Sequence, residues 1–282
     1  MKLIQKTKIA KPTILYNLHV KNNHNYVIDG AVVSNCHGAK ASVIKELINK
    51  YGKHIALRYG VTGTMPKGIV DQYSLKVSLG QVIREVPASW LIEQGYLAKI
   101  EIEPVETADE DPDLPDYAAE KEYLSKMDER NAAIAEDIMR KRDEYGNTMV
   151  LVNSITQGQL LQELIPNSVF LFGGSAKVDR KAQYDSYANM DGIIVIATVG
   201  IASTGISIDR IFCEYLVDIG KSFIRCIQSV GRGLRKKGDK NSIHVVDLYS
   251  KLKFSKKHGK ARKKYFDEAG YPMTGVRKLK YV

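Results

Sequence analysis

Asn35 and Cys36, within the run HNYVIDGAVVSNCHGAK, set a side-chain amide directly before a thiol. An asparagine can attack its own carbonyl through its side-chain nitrogen, closing a succinimide and breaking the peptide bond to the next residue. A cysteine that follows can, as the thiolate, accept an acyl group as a thioester and pass it to its own freed amine. His24, farther upstream, is an imidazole able to act as a general acid or base. A second constellation lies far along the chain in QSVGRGLRK, where helical spacing puts Gln228, Arg232 and Arg235 on one face beside Gly231. Two guanidinium groups so placed can grip phosphate oxygens. Taken singly, Asn-Cys is a chance dipeptide and an arginine on a helix is a surface charge. The conjunctions are what carry weight.

The elements that must position these groups follow from periodicity. Leu15, Asn17 and His19 alternate with Tyr16, Leu18 and Val20 as a strand does, and YVIDGAVV reads as two short strands joined at Asp29-Gly30. Val43, Ile44, Leu47, Ile48 and Tyr51 share one helical face, ahead of a strand in HIALRYGV and the turn TGTMP. Further on, apolar runs of strand length recur as TMVLV, SVFLF, GIIVIAT, FCEYLV and SIHVVDL. Helical stretches such as ITQGQLLQELI and KSFIRCIQSVG separate them. Strands buried on both faces and alternating with helices predict an α/β fold, a parallel sheet covered by helices. Any ligand should then sit at the carboxyl ends of the strands.

Residues 1–35, with strand, His24-Asn25, strand and Ser34-Asn35-Cys36 in that order, resemble the C-terminal fragment of a split intein, as in the cyanobacterial DNA polymerases. The resemblance implies a short all-β segment, catalysis by His24, Asn35 and Cys36, and no cofactor for splicing. It also implies a partner polypeptide carrying the N-terminal intein half, so that the reaction is trans-splicing. Two positions depart from the commoner intein pattern: Ser34 stands where many have histidine, and Asn17 where many have aspartate, which removes a carboxylate from the proton relay.

From Cys36 to about residue 250 the motifs TGTMP, STGISI and KSFIRCIQSVGRGLRKKG resemble the superfamily 2 helicases, and within them the UvsW-type recombination helicases of tailed phages. On that resemblance VTGTMP, with Thr62 and Thr64, is motif III. LVNSITQG, with Asn153 and Ser154, is the motif IV region, and FGGSAKVDR is a further loop ending at Arg180. ATVGIASTGISI, with Thr198, Ser203, Thr204 and Gly205, is motif V, whose hydroxyls and backbone N–H groups meet nucleic-acid phosphate and couple it to ATP. QSVGRGLRK is motif VI, with Arg235 as arginine finger and Arg232 as a second phosphate ligand, Gln228 and Gly231 completing the ATP contacts. Cys36-His37 would be the last two letters of a Walker B motif Asp-Glu-Cys-His, restored when a partner ending in Asp-Glu is joined to Cys36, with His37 beside the γ-phosphate. No G-x-x-x-x-G-K-[ST] occurs, since Gly220-Lys221-Ser222 has Tyr215 where the first glycine belongs. The phosphate loop and the Mg²⁺-holding carboxylates are therefore expected on the partner, and the unspliced chain is expected not to hydrolyse ATP.

These readings divide the chain into an intein segment (1–35), the close of a first RecA-like domain (36–100), an acidic linker (101–117), a second RecA-like domain (118–250) and a basic tail (251–282). Of the net charge of +10, almost all lies in the tail, where 11 Lys+Arg face 2 Asp+Glu. Its Lys256, Lys257, Arg262 and Lys263, with interleaved aromatics, suit a nucleic-acid backbone and unpaired bases. DNA is the expected partner, with branched DNA and RNA–DNA hybrids implied by the phage resemblance. Cys36, Cys213 and Cys226 lack C-x-x-C spacing, so neither a zinc site nor a disulfide framework is expected. The composition, without a signal peptide or a membrane-length apolar run, points to the cytoplasm of a bacterium or phage-infected host, with no membrane partner. A competing reading keeps a nucleic-acid-binding module with a dead intein remnant.

Overall fold

A computed structural model describes residues 25–28, 31–35, 46, 50, 57–61, 65, 68–173, 187, 190–204, 210–220 and 241–281. The chain divides into two compact units, Met1–Glu85 and Val86–Val282.

In the first unit, β1 (Asn25–Ile28) pairs antiparallel with β2 (Ala31–Asn35), and the register Ile28↔Ala31 leaves Asp29-Gly30 as the two-residue connection expected from sequence. β2 then runs parallel to β3 (Leu57–Val61), with Asn35 opposite Val61. Helix α1 (Ile69–Leu79) follows. The strand expected around Leu15–Val20 lies outside the described residues.

The second unit begins with a short helix, α2 (Ala88–Glu93), and is built on a seven-stranded sheet. Its strands are β4 (Lys99–Thr107), β5 (Thr148–Val152), β6 (Val169–Leu171), β7 (Ile194–Thr198), β8 (Cys213–Val217), β9 (Ser242–Ser250) and β10 (Arg277–Leu279). The order is β10-β4-β9-β8-β5-β7-β6, and every pairing is parallel. Helices α3 (Tyr117–Ser125), α4 (Asp128–Tyr145), α5 (Ile155–Leu164), α6 (Val199–Thr204) and α7 (Lys253–Glu268) supply the crossovers and covers. Alternate residues enter opposite cores. Leu151, Val195, Leu216 and Val245 pack with Phe266 of α7, while Val150, Val152, Ile196 and Val246 pack with Ile134 and Ile138 of α4. The five apolar runs read from sequence each hold one of these strands, and the parallel α/β sheet is as expected.

Two expected boundaries are corrected. Residues 101–107 are not linker but most of β4, paired to β9 from Lys99↔Ser242 to Thr107↔Ser250. Its acidic residues are tolerated because basic groups meet them: Lys141 Nζ lies 2.7 Å from Glu103 Oε2, Arg277 Nε bonds Glu103 Oε1, and Lys278 Nζ bonds Glu106 Oε1. Burial alone would raise the Glu103 carboxyl, but hydrogen bonds from His244, Lys141 and Arg277 outweigh it and hold it well below the usual carboxylate range. The exposed acidic connection is shorter, residues 110–116. The basic tail is likewise not an appendage. It forms α7 and the edge strand β10, and Tyr271 and Phe266 are core residues.

Candidate nucleotide and nucleic-acid site at the carboxyl ends of the strands

Because all seven strands run parallel, their carboxyl ends share one edge, where Thr107, Asn153, Thr198, Asp218 and Ser250 follow or close β4, β5, β7, β8 and β9. Asp218 is the pivot of this edge. Its φ of 46° is left-handed, a conformation that aspartate accepts more readily than most residues, and its backbone N–H donates to Leu248 O at 3.0 Å. The Asn153 side-chain amide donates to Asp218 O at 2.9 Å and to Tyr117 Oη at 3.1 Å. Arg262 Nη1 donates to the next carbonyl, Ile219 O, and Arg262 Nε donates to Asp247 Oδ1 at 2.7 Å. Three elements thus clamp residues 218–219, the start of the stretch that leads to Gln228, Arg232 and Arg235.

A buried guanidinium organises the same edge. Arg130 Nε donates to Asp109 Oδ1 at 2.8 Å, and Arg130 Nη2 lies 2.7 Å from Asp218 Oδ2. Thr107 Oγ1 and Tyr281 Oη each donate to Asp109 at 2.5 Å. Burial would raise the Asp109 carboxyl, yet the Arg130 charge and hydroxyl donors including Ser250 hold it below the ordinary range. Asp218 has the same cation but no such hydroxyls, so burial prevails and pushes its carboxyl up. Burial also raises the Tyr117 hydroxyl, with the Asp218 charge adding to it.

The candidates read from sequence fall into three groups. Asn153, Ser154 and Thr198 lie at this edge; Ser154 also caps α5 by accepting from Gln157 N at 3.5 Å. Ser203 and Thr204 close α6, which continues directly from β7. Lys256, Lys257 and Lys263 are exposed on α7; Lys256 faces Glu106 at 3.8 Å and Lys263 faces Asp267 at 2.9 Å. Arg262 is a correction: it is fully buried against Asp247 and cannot meet a nucleic-acid phosphate where it stands, because it sits on the core face of the helix. His24, Cys36, His37, Thr62, Thr64, Gly205, Gln228, Gly231, Arg232 and Arg235 lie outside the described residues, and Asn35 is described as the last residue of β2.

Sequence reasoning missed Arg130, Asp109, Tyr117 and Asp218. Arg130 carried a signal, since it shares the apolar stripe of α4 with Ile134 and Ile138, where a charge implies a buried partner. Asp218 carried another, as the first acid after a fully buried strand.

The architecture is a RecA-like α/β fold, a parallel sheet covered by helices. No protein-family model matches the chain. In sequence it is 26% identical over 239 residues to the ATP-dependent DNA helicase uvsW of Enterobacteria phage T4, a match covering 82% of this chain and 47% of that protein. The chain therefore spans about half the length of the curated relative it matches. In fold it is similar to the crystal structure of T4 UvsW, with a TM-score of 0.54 and 21% identity over 88% of this chain and 53% of that one. It is also similar to a fragment of a putative HsdR subunit of a type I restriction enzyme from Vibrio vulnificus, with a TM-score of 0.69 and 17% identity over 90% of this chain and 49% of that one.

Proposed function

We propose that this chain is the C-terminal precursor of an ATP-dependent superfamily 2 DNA helicase, joined to its N-terminal half by trans-splicing. The observation that carries the helicase reading is the clamp on residues 218–219. It fixes the start of the segment bearing Gln228, Arg232 and Arg235 to the edge where a parallel α/β sheet takes phosphate ligands. The sequence similarity to a phage DNA helicase agrees with it. Gly220 follows, where an added Cβ would meet the Tyr117 hydroxyl at 3.5 Å, an ordinary contact.

In this reading Arg235 and Arg232 bind the nucleotide phosphates, with Gln228 and Gly231 fixing their orientation. ATP with Mg²⁺ supplies the phosphoryl group and neutralises its oxygens, the partner bringing the phosphate loop and the acidic residues. Asn153, Ser154 and Thr198 present polar groups to DNA at the same edge, and Ser203 and Thr204, at the end of α6, are taken as further DNA contacts on the motif V resemblance.

Splicing supplies the missing half. The partner's acyl group, leaving the nucleophile at the start of its own intein half, moves to Cys36 Sγ as a thioester; the Asn35 side-chain nitrogen closes on its own carbonyl, breaking the bond to Cys36 and freeing its amine; that amine attacks the thioester carbonyl, forming the new peptide bond and releasing the Cys36 thiol. Support comes from the β1–β2 hairpin ahead of the junction and from the register of β2 with β3. The strand ends at Asn35 opposite Val61, immediately before the TGTMP loop. A partner strand ending in Asp-Glu would occupy that same position beside β3, with Cys36-His37 following it.

The test is reconstitution with the N-terminal half. Arg235→Ala leaves the joined product unchanged and lowers DNA-stimulated ATP turnover about a thousandfold or more. Near-normal turnover would overturn the role of Arg235, and loss of joining would show that the substitution acts elsewhere.

A further inference from the structure

Helix α7 has two faces of different chemistry. Its inner face carries Ser255, His258, Gly259, Arg262 and Phe266, all buried. Its outer face carries Lys253, Lys257, Lys260 and Lys264, all exposed. At about 100° per residue the spacings of four, three and four keep these lysines within about 60° of one another, along a line about 16 Å long. None of Lys257, Lys260 and Lys264 has an ion-pair partner among the described residues. The neighbouring Lys256 and Lys263, turned to one side, meet Glu106 and Asp267.

A solvated helix face usually mixes charges of both signs at i and i+4, because like charges so close oppose one another. Here the acids serve the flanking lysines and the central line is left uniformly positive. The helix is also held rigidly. Backbone N–H groups of Phe254 and Ser255 donate to the Glu120 carboxylate of α3 at 2.9 and 2.5 Å, an acid placed on the positive end of the helix dipole. Gly259 lets the helix lie against Tyr249, where an added Cβ would come within 2.8 Å of the ring. The first turn of α7 begins after two intervening residues from the end of β9, at the same sheet edge as Asn153 and Asp218.

We propose that Lys253, Lys257, Lys260 and Lys264 form a phosphate track for the nucleic-acid backbone, separate from the motif loops. It would span about five base steps of one strand at about 3.4 Å per step. The track reads no sequence, since point charges on flexible stems contact phosphate rather than base edges. The inference rests on the nucleic-acid-directed reading above and adds a second contact surface to it.

The test uses the full chain and a fluorescein-labelled oligonucleotide duplex, followed by anisotropy from about 50 to 200 mM salt. The triple variant Lys257→Gln/Lys260→Gln/Lys264→Gln is compared with Lys99→Gln/Lys121→Gln/Lys126→Gln, which removes equal charge from other elements. The track predicts at least a roughly tenfold weaker affinity for the first variant and a salt slope shallower by about 2 to 3, with the second close to wild type. Equal weakening by both variants, or none by the first, overturns the track and leaves the motif loops as the binding surface. A wild-type chain that ignores the duplex but sediments with phosphatidylserine vesicles overturns it in favour of a lipid surface. Failure of the joined protein to hydrolyse ATP would instead sink the helicase reading while leaving a measured track intact.

Discussion

Arg262 shows how a basic residue in a basic segment can serve the interior. Its guanidinium is enclosed, paired to Asp247 and bonded to the Ile219 carbonyl, so it stabilises α7 on the sheet and the strand end that follows β8. Removing one partner of a buried ion pair leaves the other charge unsolvated, at a cost of about 3–5 kcal/mol. Asp247 is in that position, since burial already pushes its carboxyl up against the pull of Arg262. Arg262→Met should therefore lower the stability of the chain by about that amount, whereas Lys257→Met on the opposite face should change it by less than about 0.5 kcal/mol. Chemical denaturation followed by circular dichroism separates the two; an Arg262→Met chain as stable as the wild type would remove the clamp from this account. The lysine and arginine content of the tail was plain in the sequence. Which face of the helix each residue takes was not, until the buried positions His258 and Phe266 fixed the rotation of α7.

At the scale of elements, β4 and α7 explain most of what sequence reading missed. β4 carries Glu101, Glu103 and Glu106, a composition that argues for an exposed connection, and yet it pairs with strands on both sides. The basic partners that neutralise it come from α4 and β10, distant in sequence, so no local pattern could reveal them. Among the five apolar strands β9 also has a distant charged partner, Arg262 for Asp247, but their apolar composition marked all five as buried on both faces. The packing of α7 on the sheet depends on close approach at Gly259. A methyl group there meets the Tyr249 ring at 2.8 Å, and the ring is held between the helix and the sheet. Gly259→Ala should destabilise the chain by about 1–3 kcal/mol through overpacking, in spite of alanine's better helix propensity. A rise in melting temperature on that substitution would contradict the packing described.

For the whole molecule, the parallel α/β architecture was legible in the apolar runs and their spacing. The proposals of an acyl transfer at Asn35-Cys36 and a phosphate grip in QSVGRGLRK rest on residue types and spacing, and Cys36 and residues 228–236 lie outside the described residues. The network of Arg130, Asp109, Asp218 and Tyr281, which joins α4, the loop after β4, the end of β8 and the residues after β10, depends on the folded sheet and left only scattered traces. On the proposed reading, the strand-end edge takes a nucleotide whose remaining ligands would come from an N-terminal half joined by splicing. The central claim is that covalent union at Cys36, and peptide mass spectrometry of the protein from its native source tests it most directly. The account predicts a peptide in which Cys36-His37-Gly38-Ala39-Lys40 follows Asp-Glu from another polypeptide. Recovery of only Asn35 joined to Cys36, alongside an intact N-terminal intein half, would contradict it.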